Sequence, residues 1–464
     1  MGAIPADAHI NGMWSSVGSW PLIQIHAVLL IDGRVLTYGT NAAGKQTGYF
    51  IYDVWDPSAG LAGGHLTLPN GTGVDTFCSA QIVLPRSGGE VFLAGGDLWD
   101  GANTMQRGNR STLLFDPANN SLTSGADMYR PRWYATTTTL LNGEVLIVGG
   151  RDGEDLAEVR QVDGTFRPLT DIDATAIDYY YPRHFVAPDG RVFGYDSKGY
   201  MYYIDAAGAG AISQQGRLAI ENRGNDASAA MFAPGKILQF GGASNGAVVI
   251  DITGGSPVVT PTQSMSTQRR IPTATLLADG KVLATGGSEV WNQLTGANLY
   301  AEIWDPATGT WTLGAKGALA RLYHSNAMLL PDGSVLVGGG GAPGPLNNLN
   351  AEIYYPPYFF RSGGQLARRP VIAAAPGSVE IGKSFTVDYD NATSIKRVAL
   401  IKTGAVTHSF NMDQRFVPLT FTASGKRLTV KMPSRAADAP PGYYLLFLID
   451  ADGVPSIGKI VRRL

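Results

Sequence analysis

One phrase recurs seven times along this chain of 464 residues: an apolar strand, a turn closing on glycine, and a second apolar strand that runs into a small or glycine pair. It reads IDGRVLTYG, SGGEVFLAGG, NGEVLIVGG, PDGRVFGYD, APGKILQFGG, ADGKVLATGG and PDGSVLVGGGG, with turn glycines at Gly33, Gly89, Gly143, Gly190, Gly235, Gly280 and Gly333. The intervals between them are 56, 54, 47, 45, 45 and 53 residues. A repeat of that length is one supersecondary unit that cannot bury its own apolar faces, so the copies must stack on one another. Each turn carries the signature of a β-hairpin with a two-residue loop. After most of them a third strand ends in an aspartate turn, as in VWDPSAG, LFDPANN, YIDAAGAG, VIDITGG and IWDPATGTW. The expected architecture is a ring of seven antiparallel blades whose innermost strands begin on a central axis.

The spacing matches the roughly 50-residue kelch period, so the fold class expected is all-β, a seven-bladed kelch-type β-propeller. The segment IWDPATGTW lacks the serine two residues before the aspartate that a sialidase Asp-box would carry. Composition agrees with the class: 59 glycines, 44% hydrophobic and only 16% charged residues favour many short strands around a large core. A formal net charge of −2 with no block of Lys or Arg offers no footprint for nucleic acid or an anionic membrane surface. No apolar run reaches the 18 residues of a membrane span, and the start MGAIPADAHINGMW lacks the pattern of an export signal. The repeat ends at AEIYYPPYFF, where Pro356 and Pro357 break the strand pattern before the polar stretch RSGGQLARRP. Two domains are expected, a propeller over 1–366 and an immunoglobulin-like β-sandwich of six or seven strands over 367–464.

Equivalent positions of different blades stand at one depth around the axis, which turns register into chemistry. Tyr134 lies nine residues before Gly143, and His324 nine before Gly333 with Tyr323 just ahead of it. Cys78 lies eleven before Gly89, but its turn LPRSGGEV is two residues longer, which brings it level. Each alone is more often packing than chemistry, and a lone buried cysteine is usually inert. Together, two tyrosines, a histidine and the only cysteine of the chain converge on one mouth of the axis, and their nitrogen and oxygen donors point to a metal. His26 and His184 fall two or three residues deeper and read as structural or supporting groups.

The segments GVDTFCSAQIV, PRWYATTTTLLNGEVLIVGG, RLYHSNAMLLPDGSVLVGGGG and AVTHSFNMDQR resemble the four active-site segments of the copper radical oxidases, on the glyoxal oxidase side of that family. The resemblance spans the whole chain. It implies one copper ion held by Tyr134, Tyr323, His324 and His408, and a thioether joining Cys78 to Tyr134 as a protein-derived radical cofactor. It further implies that His408 reaches from the C-terminal domain into the propeller on a hairpin. Cys78, Tyr134 and Tyr323 are the implied catalytic residues, Tyr323 as general base and Tyr134 as the radical that takes a hydrogen atom. The implied reaction oxidises a small aldehyde or primary alcohol with dioxygen and releases hydrogen peroxide.

The pattern departs from the family at one place: Arg151 and Asp152 follow the Gly-Gly of the Tyr134 blade where galactose oxidase carries a tryptophan. Trp133, Trp99 and Trp291 are the candidates for an aromatic cover, against their ordinary reading as packing, and Arg223, Gln268 and Arg321 are the channel-rim candidates by register, with Arg321 equally able to pair with a neighbouring blade. Two other readings stay open, a kelch-type binding module without catalysis and a non-redox metal that staples the C-terminal domain through His408. An oxidase that forms peroxide is expected to be a secreted or surface-bound monomer whose export signal is not in this chain.

Overall fold

The computed structural model describes residues 1–218 and 226–464 and places seven antiparallel sheets around one axis. Five of them are four-stranded and consecutive in sequence, for example Trp133–Thr139, Val145–Arg151, Ala157–Arg160 and Phe166–Leu169. The other two recruit strands from the chain ends. The last blade, Ser325–Leu329, Val335–Gly339 and Asn350–Tyr355, is completed on its outer edge by Met13–Trp14 and Gly18–Ser19, which closes the ring. The first blade, starting at His26–Leu29, is extended on its inner edge by a hairpin of Ala405–Thr407 and Phe410–Asn411. Both additions cover sheet edges that would otherwise expose unpaired backbone groups.

The repeated turns are mostly not the two-residue loops expected. Leu30 donates to the Arg34 carbonyl and Gly33 to the Leu30 carbonyl, which makes a three-residue loop with Gly33 left-handed at φ 87°. That is a type I turn followed by a glycine bulge. Only Pro234-Gly235, between the paired Ala233 and Lys236, spans two residues in the expected way among these turns. The turn before Glu90 is two residues longer than the common form, since Leu84 pairs with Glu90 and Gly89 bonds back to Arg86.

Burial of charge explains the second half of the repeated phrase. Arg132, Arg269 and Arg321 lie inside their blades against Glu158, Glu302 and Glu352, at 2.7, 3.0 and 2.9 Å. Each arginine enters from the segment before the innermost strand, and each glutamate sits on the third strand of the same blade. The guanidinium also donates to the carbonyl of a bend glycine, Gly149, Gly286 or Gly339. Gly150 completes one such bend at φ 85°, where a Cβ would stand 2.8 Å from that of Arg132. The Gly-Gly pair is therefore the space in which a buried arginine crosses the sheet.

After the short hairpin Phe360–Arg361 and Gln365–Leu366, the strands from Val371–Ala374 onward build a β-sandwich. Its two sheets share Phe416–Ser424: Phe416 to Leu419 pair with Ile395–Lys402, and Thr420 to Ser424 with Arg427–Lys431. The sandwich has eight strands, more than the six or seven expected, because the two-residue strand Ser378–Val379 runs parallel to Lys459–Arg463 without an alternating pattern of its own.

Arg269→Leu leaves the Glu302 carboxylate buried without its partner and is expected to cost about 3–5 kcal/mol in urea unfolding. The double variant R269L/E302L, which removes both charges, is expected to recover most of that loss.

Candidate metal centre

The innermost strands start at one mouth of the axis, and the residues that begin them are tied blade to blade through the backbone. Tyr134 N–H donates to the Cys78 carbonyl at 3.0 Å, and Tyr181 N–H to the Tyr134 carbonyl at 2.8 Å. Further round, Ile271 N–H donates to the Asp226 carbonyl at 2.7 Å. Cys78, Tyr134 and His324 hold left-handed φ values of 57°, 78° and 69°, which side chains rarely adopt. Strain of this kind, at about 1–3 kcal/mol per residue, persists where the surroundings over-determine it and gathers at functional sites.

Register thus brings Cys78, Tyr134, Tyr323 and His324 to one place, and the hairpin of the C-terminal domain carries His408 in among them. The Tyr134 and Tyr323 hydroxyls are 3.0 Å apart, and Cys78 Sγ lies 3.3 Å from His408 Nε2. The ligand atoms of Cys78, His324 and His408 all lie within 4.8 Å of one another. Ring centroids place Tyr134 5.2 Å and Tyr323 5.5 Å from His408. All five side chains are buried, while Tyr134 and Tyr323 each keep 8% of their surface open at the mouth.

Hydrogen bonds settle which imidazole nitrogen is free. His324 Nδ1 donates to the Gly341 carbonyl at 2.8 Å, leaving Nε2 buried with no partner. Thr407 commits its hydroxyl hydrogen to the Ile25 carbonyl, so its oxygen accepts from His408 Nδ1 at 2.7 Å. His408 Nε2 is then also the lone-pair nitrogen. Burial holds the His324 imidazole down to about 4 and pushes that of His408 well below the usual range, with His324 and His26 adding to the second shift. Burial likewise raises the Tyr134 and Tyr323 phenols well above theirs. Two neutral imidazoles with converging lone pairs and two phenol oxygens form the nitrogen and oxygen set that copper(II) prefers. A cation there would offset the cost of ionising the phenols.

His26 lies behind the cysteine. Its Nδ1 faces Gln81 Oε1 at 2.9 Å, and its Nε2 accepts the Cys78 N–H at 3.1 Å. The Tyr38 ring stacks on it at 4.3 Å and 5°. His184 plays no part at the mouth, pairing through Nε2 with the Tyr202 hydroxyl at 2.6 Å.

Of the three tryptophans considered as cover, Trp133 stacks on Tyr134 with centroids 4.2 Å apart and 27° between planes. Trp291 leans over Tyr323 at 5.1 Å. Trp99 stacks instead on Tyr49 and meets the edge of Phe50. Asp152 is turned to the neighbouring loop, where it takes Arg107 and the Gly108 N–H. Arg321 is no rim residue, since it is buried against Glu352 of its own blade. Gln268 donates to the Glu289 carbonyl on the exposed face, and Arg223 lies outside the described residues.

Two neighbours were not anticipated. Tyr180 and Tyr181 pack against Tyr134 with centroids at 4.8 and 5.3 Å. The count that found Tyr134 also reaches Tyr181, nine residues before Gly190, so the signal was present in that blade.

Comparison with known proteins follows the same lines. The family described as Galactose oxidase-like, Early set domain matches residues 369–463. A galactose oxidase of Gibberella zeae is 30% identical over an alignment covering 97% of this chain and 70% of that protein. The aldehyde oxidase GLOX of Vitis pseudoreticulata is 26% identical, covering 84% of this chain and 82% of its own. A solved structure described as a novel fungal alcohol oxidase of the AA5 family, in complex with copper, superposes with a TM-score of 0.85 at 23% identity. It covers 97% of this chain and 99% of that one, and so shares its fold.

Burial sets a pH limit that does not involve the mouth. His184 is held down to about 3, while an unfolded histidine titrates near 6.5, so the unfolded chain takes up a proton that the folded one refuses. Stability is therefore lost as pH falls below about 6.5. His184→Phe is expected to reduce the loss between pH 7 and pH 5 by about 2 kcal/mol, measured by urea unfolding of the metal-free protein.

Proposed function

Because the chain belongs to the copper radical oxidases, the family of galactose oxidase, we propose that it oxidises small aldehydes or primary alcohols with dioxygen, releasing hydrogen peroxide, through a radical on a Cys78–Tyr134 thioether. One observation carries the reading: the unpartnered Nε2 of His324 and the Nε2 of His408, whose only neighbour in hydrogen-bond range is Cys78 Sγ at 3.3 Å, converge beside two phenol hydroxyls 3.0 Å apart. In this proposal Tyr134, Tyr323, His324 and His408 hold one copper ion, three from the propeller of residues 1–366 and one from the domain of 367–464.

Bound copper supplies one of the two oxidising equivalents that removal of two electrons from a CH–OH group requires. Tyr134 supplies the other, because sulfur on its ring lowers its oxidation potential and spreads the unpaired electron. Trp133, stacked on that ring, keeps water from one face. Tyr323 takes the proton of the substrate hydroxyl as general base, and Tyr134 takes the hydrogen atom from the carbon. Dioxygen accepts the two electrons and two protons as hydrogen peroxide.

The walls of the mouth bear on the substrate. Trp133 and Tyr180 pack on Tyr134 and Trp291 on Tyr323, so the surroundings of the two phenols are aromatic, which suits a small, weakly polar molecule better than a polyhydroxylated sugar. The purely structural metal is disfavoured by the hairpin itself, which is anchored without it: Gln414 bonds Leu276 and Ala274, and the Ser228 hydroxyl bonds the Ser409 carbonyl. Among the described residues no helix is long and apolar enough to cross a membrane. We place the enzyme outside the cell or at its surface, where the peroxide it forms is released.

The test loads the protein with copper under air, oxidises it mildly and records its visible spectrum with peroxide production on methylglyoxal and a panel of primary alcohols. A radical absorption that vanishes in Cys78→Ala, with peroxide from a panel member, is the expected result; copper bound without radical or turnover rejects it. Tyr323→Phe is expected to lower kcat by about 10²–10⁴-fold if the tyrosine is the base. Trp133→Leu should leave copper binding intact and shorten the life of the radical band.

A further inference from the structure

On the side of the propeller away from the copper mouth, four arginines converge where the two domains meet. Arg86 and Arg160 come from the propeller, and Arg462 and Arg463 from the last strand of the sandwich. They line one groove of about 410 Å³, with Pro85 and Val162 on its walls.

Their charge is poorly matched. Of the four, only Arg86 pairs with an acidic side chain among the described residues, Glu90 at 2.8 Å. Arg160 is 7% exposed, lies over the Phe92 ring, and makes one long bond of 3.4 Å to its neighbour's carbonyl. Burial depresses its pKa, with repulsion from Arg86 as the next cause; Glu90 and Asp163 oppose both. Arg463, also 7% exposed, donates at 2.8 Å to the main-chain oxygen of Leu464, the last residue of the sequence, which lines the same groove, and keeps Nε buried without a partner. Arg462 donates to the Pro85 carbonyl, and its Nε is likewise unpartnered. Buried guanidinium groups are costly unless paired, and a planar fork of N–H donors matches oxyanions bidentately.

We infer that this groove is a binding site for a tetrahedral oxyanion, phosphate or sulfate, free or carried as an ester on a sugar-sized ligand. Such an anion would join blades two and three to the final strand of the C-terminal domain. It would add to the existing bonds from the Tyr443 hydroxyl to the Arg86 and Ser87 carbonyls. Occupancy would thereby clamp the junction from which the His408 hairpin rises. The inference does not depend on the oxidase reading, since it concerns another face and needs neither metal nor substrate.

The experiment measures the thermal midpoint of the whole metal-free chain while chloride is replaced by inorganic phosphate, then by sulfate, at constant ionic strength. A saturable rise is expected, with apparent affinity weakened at least tenfold in Arg160→Gln and Arg463→Gln. Val162→Glu, at a wall position 62% exposed, should abolish the rise without touching a buried group, so the test survives poor folding of the arginine variants. Glucose 6-phosphate against glucose plus inorganic phosphate separates an ester from the free ion: tighter binding of the ester assigns the groove to a phosphorylated ligand, and equal binding to the free anion. A rise that does not saturate, or one that persists unchanged in Val162→Glu and Arg160→Gln, overturns the site.

Discussion

The hairpin that the C-terminal domain sends along the propeller axis is the contact on which the rest of the site depends. Innermost strands of a seven-bladed ring converge without meeting, which leaves backbone groups and a polar core facing a channel. The segment from Lys402 to Arg415 fills it. Thr407 pairs with His26 as an added strand, Gln414 bonds the sixth blade, Ser409 accepts from Ser228 of the fifth, and Arg415 donates to the Val186 carbonyl of the fourth. At its root Lys402 and Asp413 form a buried pair. Every blade contact that seats the hairpin also sets the height of His408.

Rigidity at the mouth is obtained from below and from the sides. The buried Arg132–Glu158 and Arg321–Glu352 pairs fix the segments that lead into Tyr134 and His324. His26 takes the Cys78 N–H, and backbone bonds carry the order from Cys78 to Tyr134 to Tyr181. Side chains so constrained can hold left-handed φ values and keep a buried imidazole lone pair, that of His324 Nε2, without a hydrogen-bond partner. Those two features would be liabilities in a plain scaffold and are useful where a cation and a reactive ring must sit at set distances.

Much of this was legible in the chain. Seven blades followed from the turn glycines, and the level of Cys78, Tyr134 and His324 followed from counting back from them, because strand register is conserved when the repeat is. The same count passed over Tyr181, since a tyrosine on a strand carries no chemical mark until its neighbour is known. The loop type was misread because a glycine after Asp or Asn serves a two-residue turn and a three-residue bulged turn alike. Arg321 was misplaced at the rim because its partner, Glu352, lies 31 residues further on, at a separation no local pattern reports.

The sequence by itself determined the period, the blade count and the β-sandwich class of the C-terminal part, since these follow from local turn chemistry and alternation. Tertiary structure alone decided which nitrogen of each histidine is free, which tryptophan covers Tyr134, how the chain ends close the ring, and where arginines from two domains meet. Those outcomes depend on contacts between segments tens to hundreds of residues apart, where direction and distance are set by packing and leave no spacing to read.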